Sequence, residues 1–200
     1  MTFSERGITP AAGLKTEDFL LRPIVAADAE LDYEAVMESR EFLRLWSQSS
    51  WPEDDFTVAA NREDMVEMET RHNNNYAYGY TVMNLEQTEC LGCVYIFSTD
   101  AKMYVGARVA AIDKTREWSD HHETVHFWVR KSRLAEGLDR ALLDALVAWF
   151  DDDWSFQNPL FVTSEGLEQQ VEMIEGTDLL RRFRIEAPAD SGPSLAYASA

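Results

Sequence analysis

Spaced by its apolar and polar positions, the chain divides into runs with a two-residue period and runs with a period near 3.6 residues. Residues 19–24 form a predicted strand that stops near Pro23. Asp28 is placed to cap a helix running to about Trp46, with Glu30 and Asp32 favourably sited in its first turn. Residues 47–55, containing Trp51-Pro52, make a linker, and a second, more polar helix covers residues 56–71 with Val58, Met65 and Met68 on its inner side. The triple Asn73-Asn74-Asn75 breaks that pattern. Residues 76–85 and 90–99 are β-type runs, and the polar stretch between them predicts an antiparallel hairpin. Residues 105–112 extend the sheet and 113–120 read as a loop. β-branched and aromatic residues return at 124–129. A helix is expected over 134–150, where Leu138, Ala141, Leu142, Ala145 and Trp149 recur at helical spacing and Arg140, Asp144 and Asp151 leave only a narrow polar stripe. Such a helix packs on a sheet. Residues 160–163 are a short strand, 168–175 a short helix and 179–186 a last strand. Residues 1–16 and the tail 188–200 are rich in Ala, Ser, Gly and Pro and lack periodicity, so both ends are expected to be poorly ordered around one domain over 17–187.

This order of elements places the chain in the α/β (α+β) class. Its 200 residues suit one domain, and 46% hydrophobic with 27% charged residues is a globular balance. A net charge of −18 repels phosphate backbones and anionic membranes, so neither nucleic acid nor a membrane is an expected partner, whereas a basic amine substrate fits it. The first twenty residues hold no apolar run of the signal-peptide kind and no stretch approaches a membrane span, which leads to a cytoplasmic expectation. Cys90 and Cys93 are spaced C-x-x-C within a β-branched, aromatic run. A structural zinc site wants four ligands and a redox pair opens a helix, so both cysteines read as strand residues without special chemistry, and no metal is expected.

The order strand, helix, helix, hairpin, strand, helix, strand, helix, strand resembles that of the GNAT superfamily of acyl-CoA-dependent N-acetyltransferases, over about residues 19–186. The matching pieces are Phe19-Leu20-Leu21-Arg22-Pro23, Leu91-Gly92-Cys93-Val94-Tyr95-Ile96 and, most tellingly, Val125-His126-Phe127-Trp128-Val129 followed by Gly137-Leu138-Asp139-Arg140-Ala141-Leu142-Leu143. The resemblance implies a largely antiparallel mixed sheet flanked by helices. It also implies acetyl-CoA as co-substrate, lying beside Phe127, Trp128 and Val129 with its pyrophosphate over Arg133, Leu134, Ala135, Gly137, Leu138, Asp139 and Arg140. A small-molecule or peptide amine would be the acceptor, attacking the thioester directly. Members often pair through their sheets, so a homodimer is allowed.

The phosphate reading has a physical basis of its own. A helix N-terminus exposes unpaired N–H groups, and a glycine lets an anion approach the backbone. Residues 130–140 carry Arg130, Lys131, Arg133 and Arg140 against Glu136 and Asp139, a locally basic stretch in an acidic chain. At the positions of the family pattern, Gln or Arg, two residues, Gly, one residue, then Gly or Ala, this chain has Leu134, Gly137 and Asp139, so two of the three depart from it. Asp139 can instead cap the helix itself and take the place of the phosphate. The tyrosine that the family often uses as general acid is replaced by Ile174. Glu123 and His126 are the candidate catalytic substitutes, against the plainer reading of a surface glutamate and a hydrogen-bonded sheet histidine. Trp46, Trp51 and Phe56 are candidates for an aromatic wall of the acceptor pocket.

One motif competes. His122-Glu123-Thr124-Val125-His126 matches H-E-x-x-H, in which two histidines bind zinc and the glutamate activates water. That chemistry needs a helix, because histidines four apart in a strand stand ~13 Å apart, at ~3.3 Å per residue, and cannot share an ion. A non-catalytic domain of the same fold is the remaining alternative.

Overall fold

The computed structural model describes residues 3–113, 115–156, 158–187 and 192–200. Strands β1 (Leu14–Lys15) and β2 (Leu20–Pro23) lead into helices α1 (Ala29–Glu38), α2 (Arg40–Ser47) and α3 (Val58–Asn73). The hairpin β3 (Tyr78–Met83) and β4 (Cys90–Ser98) follows, then β5 (Arg108–Ala111), β6 (Glu123–Val129) and the single turn α4 (Lys131–Leu134). The chain continues through α5 (Leu138–Asp153), β7 (Leu160–Ser164), α6 (Glu168–Glu175), β8 (Leu180–Glu186) and β9 (Ser194–Ala198). The strands form one sheet in the order β1-β2-β3-β4-β6-β7-β9-β8-β5. Its neighbours are antiparallel except β6 and β7, which run parallel and pair only at Thr124↔Leu160 and Val125↔Phe161. Beyond those positions the two strands share no ladder.

Side-chain alternation divides the core between the two faces of the sheet. Val125, Phe127 and Val129 pack with Leu142, Leu146 and Trp149 of α5 and with Ile174 of α6. Trp128 faces the other way, into a second cluster with Val36, Leu43, Met65 and Met68 of α1 to α3. The hairpin has the expected register, with one shift: Val82 pairs with Gly92 but Met83 with Cys90. This bulge at Leu91 turns Leu91 to the α5 face and Cys90 to the helical face that Cys93 also occupies. Gly92 makes it possible, since at φ +150° a Cβ would meet the Trp128 carbonyl oxygen at 2.1 Å.

Several expectations are corrected. Asp28 does not cap a helix with its side chain but pairs with Arg22 at 2.7 Å. The helix expected from there to Trp46 is two helices that meet at buried Ser39, whose Oγ accepts from Lys131 N at 2.9 Å. The helix expected from Leu134 begins at Leu138, because residues 131–134 close their own turn and Gly137, at φ +76°, redirects the chain. The ends are not loose where they are described. Phe3 is 1% exposed and stacks on Tyr78 at 4.6 Å, Ile8 is buried, and Leu14–Lys15 adds a strand. The region 188–200, expected as a tail, contains β9 between β7 and β8, with Leu195 and Tyr197 turned to one cluster and Ala196 and Ala198 to another. Residues 188–191 lie outside the described residues. No helix among the described residues is long and apolar enough to cross a membrane.

Candidate functional site

The parting of β6 from β7 leaves backbone groups that a neighbouring strand would otherwise satisfy, and a buried carbonyl without a partner is costly. Phe127 O is satisfied by side chains instead: Trp46 Nε1 of α2 donates to it at 2.8 Å and Gln170 Nε2 of α6 at 3.0 Å. Gln170 is buried and is held in turn by Thr163 Oγ1, which donates to its Oε1. Trp46 and Gln170 thus bridge the opening from its two sides.

On the helical face, a cavity of about 490 Å³ lies beside this opening. Trp46, Trp51, Tyr95, Phe97, Met65 and Met68 form its apolar walls, His126 and Thr163 lie in the sheet wall, and Asp32, Asp64 and Glu67 bring carboxylates. Of the expected aromatic wall, Trp46 and Trp51 are in place. Phe56 is not among the lining residues; it is buried between Tyr33 and Trp51 in the helical core, 6.2 and 5.9 Å away by ring centroids.

Glu123 and His126 do not form a pair. Three positions apart in one strand, they point to opposite faces. His126 faces the cavity, edge-on to Trp46 and Phe97, and its Nε2 lies 2.9 Å from Tyr104 Oη. Nδ1 has no hydrogen-bond partner among the described residues. Burial pushes His126 down to about 4, so the ring is neutral at physiological pH, and burial raises Tyr104, so the phenol keeps its proton. Glu123 is 2% exposed on the α5 face, where Arg6 Nη1 donates to its Oε1 at 3.0 Å and Oε2 has no partner among the described residues. Burial pushes it up to about 7 against the lowering pull of Arg6. The zinc motif is overturned: its second half is strand β6, His122 stands exposed before it, and the two histidines stand about four strand residues apart.

The loop between β6 and α5 is wound on itself. Arg133 N, Glu136 N and Gly137 N donate to carbonyls three residues back, at 2.9, 3.2 and 3.0 Å. The amides that open α4 are taken by the α1–α2 junction: Lys131 N donates to Ser39 Oγ and Ser132 N to Glu38 Oε1, both at 2.9 Å. Although burial pulls Glu38 up, the bonds from Ser132 and Arg130 hold it below the usual carboxylate range. Asp139 Oδ1 accepts from Arg140 N at 2.9 Å, so the carboxylate occupies one first-turn amide of α5, although the N-cap residue, Gly137, carries no side-chain cap bond. Three of the four cations of this stretch are paired as well: Arg130 with Glu38 and Glu89, Arg133 with Glu89 and Glu136, Arg140 with Asp144. A groove of about 460 Å³ beside Gly137 and Leu138 is lined by Asp18, Glu86, Glu89 and Glu136 with Arg133 as its cation. Leu134 and Leu138 pack against the α5-side core, and Ile174, at the position of the family tyrosine, is fully buried there.

Tyr104, Gln170, Glu38 and Ser39 escaped the sequence reading. The first lies in the stretch with no clear period, and the others act through contacts with distant elements that leave no local pattern.

No family model matches the sequence, and no curated protein matches it. Among solved structures, the ribosomal-protein-S5-alanine acetyltransferase of Vibrio fischeri superposes with TM-score 0.66 at 12% identity, over 94% of this chain and 96% of that one. The RimL ribosomal L7/L12 alpha-N-protein acetyltransferase in complex with coenzyme A gives 0.66 at 13% identity, covering 96% of each chain. The microcin C7 self immunity acetyltransferase MccE, in complex with acetyl-CoA and AMP, gives 0.68 at 12% identity over 96% of this chain and 97% of that one. The fold is the GNAT fold, as the sequence resemblance implied.

Proposed function

We propose that the chain is an N-acyltransferase that takes acetyl-CoA as donor and an amine carried on an apolar body as acceptor. The observation that carries this reading is the cavity of about 490 Å³ that meets the opening between β6 and β7 with a neutral histidine in its wall. Aromatic walls suit the body of such an acceptor, and Asp64 and Glu67 suit its positive charge before reaction. Acetyl-CoA supplies an acyl group on a thioester, open to attack by an amine without a covalent enzyme intermediate. In this reading His126 takes the amine's proton. With Nε2–H donated to Tyr104 Oη, Nδ1 carries the open lone pair.

The loop's donors fit an anion, since Ser132 N already holds the Glu38 carboxylate. A phosphate would take the place of Glu38 on Lys131, Ser132 and Arg130, beside Gly137, where a Cβ would meet nothing within 4 Å.

Titration of the purified protein with acetyl-CoA by calorimetry, followed by release of free thiol in the presence of a panel of arylalkyl amines, tests the reading. Binding together with amine-dependent thiol release is expected. His126→Gln should then lower turnover by about 10²-fold or more, and Tyr104→Phe by less. A second reading, a GNAT-fold protein that binds an amine without transferring acyl groups, is favoured by the acid-lined groove and by the Asp139 carboxylate that occupies Arg140 N. Amine binding with no acetyl-CoA binding would establish that second reading in place of the first.

A further inference from the structure

Asp32, Cys90 and Cys93 are all buried on the helical face, and one ligand atom from each lies within 4.8 Å of the others. A two-residue period would put Cys90 and Cys93 on opposite faces of β4; the bulge at Leu91 brings them to the same one. Asp32 Oδ1 faces both sulfurs, at 3.3 Å from Cys93 and 3.6 Å from Cys90. Asn61 Nδ2 donates to Asp32 Oδ2 at 2.9 Å and to Ala29 O at 3.0 Å, which fixes the carboxylate with Oδ1 turned toward the thiols. As mere thiol donors, these are weak partners for a buried carboxylate, and no cation is paired with it among the described residues. Burial accordingly raises Asp32, despite its bonds from Asn61 and the thiols, and raises Cys93 well above the ordinary thiol range.

We propose that Asp32, Cys90 and Cys93 form a binding site for a thiophilic divalent cation of the zinc class. With metal–sulfur bonds of ~2.3 Å and a metal–oxygen bond of ~2.1 Å, the sulfur–oxygen edge of a tetrahedron is ~3.6 Å, close to the separations of 3.6 and 3.3 Å seen here. Two thiolates and a carboxylate select zinc over magnesium or calcium, and Asn61 supplies the outer-shell bond that orients the carboxylate ligand. Asp32 and Asn61 also line the helix-side cavity, so the ion has a route to the site through the native structure. Binding replaces the thiol protons by metal–sulfur bonds and releases two protons to solvent when Asp32 starts ionised, three when it starts protonated.

The test uses the full, untagged chain, stripped with a chelator and kept reduced, titrated with Co²⁺ and then with Zn²⁺. The expected result is a thiolate-to-cobalt charge-transfer band that saturates at one ion per chain, accompanied by proton release and abolished when zinc displaces cobalt. Cys93→Ser should abolish the band, and Asn61→Leu should weaken cobalt binding by about tenfold. If Cys93→Ser does not fold, Cys90→Ala serves for the same loss. No saturable band, or a band unchanged in Cys90→Ala/Cys93→Ala, overturns the proposal. A Cys90–Cys93 disulfide in air, seen as a loss of two mass units, together with no metal uptake by the reduced protein, overturns it too.

Discussion

Glu123→Gln separates the two forces that act on the most deeply buried carboxylate of β6. The side chain is 2% exposed and its salt bridge to Arg6 spans 3.0 Å. The salt bridge alone would lower its pKa, but burial outweighs it and carries the group from 4.5 to about 7. With the folded value above the unfolded one, the native state binds more protons than the unfolded chain between pH 4.5 and 7. Stability from this group is therefore fully present below the unfolded value and is lost as pH rises through that window. A shift of this size corresponds to about 3 kcal/mol at most, and partial exposure of Arg6 reduces it to about 2. Glutamine cannot titrate. It also places an unpaired amide N–H₂ near the orphan Oε2 position, a cost of about 1–3 kcal/mol that does not change with pH. Urea unfolding of both proteins, followed by tryptophan fluorescence at pH 5 and pH 8, cancels that constant cost. His126 titrates in the opposite sense, with stability falling as pH drops from 6.5 to about 4, but it is common to both proteins. The expected double difference is about 2 kcal/mol in favour of the variant at pH 8. A double difference below about 0.5 kcal/mol would mean that Arg6 keeps the carboxylate ionised and that the burial argument is wrong.

Phe3→Ala should cost about 3 kcal/mol, because the ring is buried against Tyr78, and should expose residues 3–13 to protease; an unchanged unfolding midpoint would show that the segment is not docked. Asp139→Gly and Glu38→Gln each remove a carboxylate that competes for the loop's amides, so each should tighten acetyl-CoA binding by about tenfold in calorimetry; loss of folding with no gain would make them structural caps only. Trp46→Phe and Gln170→Leu each remove one of the two donors to Phe127 O. Each should cost about 1–2 kcal/mol in urea melts, and together more than their sum by at least about 0.5 kcal/mol, since only the double variant orphans the carbonyl; strict additivity would refute the shared-acceptor account.

Strongly periodic pieces were legible in the sequence. The hairpin, β6, the body of α5 and the strand–helix–strand that follows it all announce themselves by β-branched runs or helical stripes. What was missed has tertiary causes. The expected single helix before the linker breaks at Ser39 because that hydroxyl serves a backbone amide ninety-two residues away. In β9, large Leu195 and Tyr197 alternate with small Ala196 and Ala198, a two-residue period that an Ala- and Ser-rich composition conceals. Within the candidate site, Trp46 and His126 line the cavity, whereas Phe56 packs in the helical core and Glu123 lies on the opposite face of β6. The H-E-x-x-H spelling carries no information about conformation; the β-branched and aromatic residues at 124–129 point to a strand, and pairing with β4 makes it one.

The two halves of the candidate site depend on backbone in different ways, and this is why the cavity and the loop pull the functional reading in different directions. At the opening, the chain leaves a carbonyl without a strand partner and satisfies it with side chains, Trp46 and Gln170, that can be exchanged for an incoming donor at little net cost. At the loop, Arg133, Glu136 and Gly137 spend their amides on backbone turns, which no ligand can displace without rewinding the segment. Lys131 and Ser132, held by side chains of α1 and its junction with α2, and Arg140, held by Asp139, keep amides that a ligand can take over there. On the proposed reading, an anion at this loop would compete with Glu38 for the start of α4, so the position of α1 would bear on donor binding as much as the glycine at the start of α5.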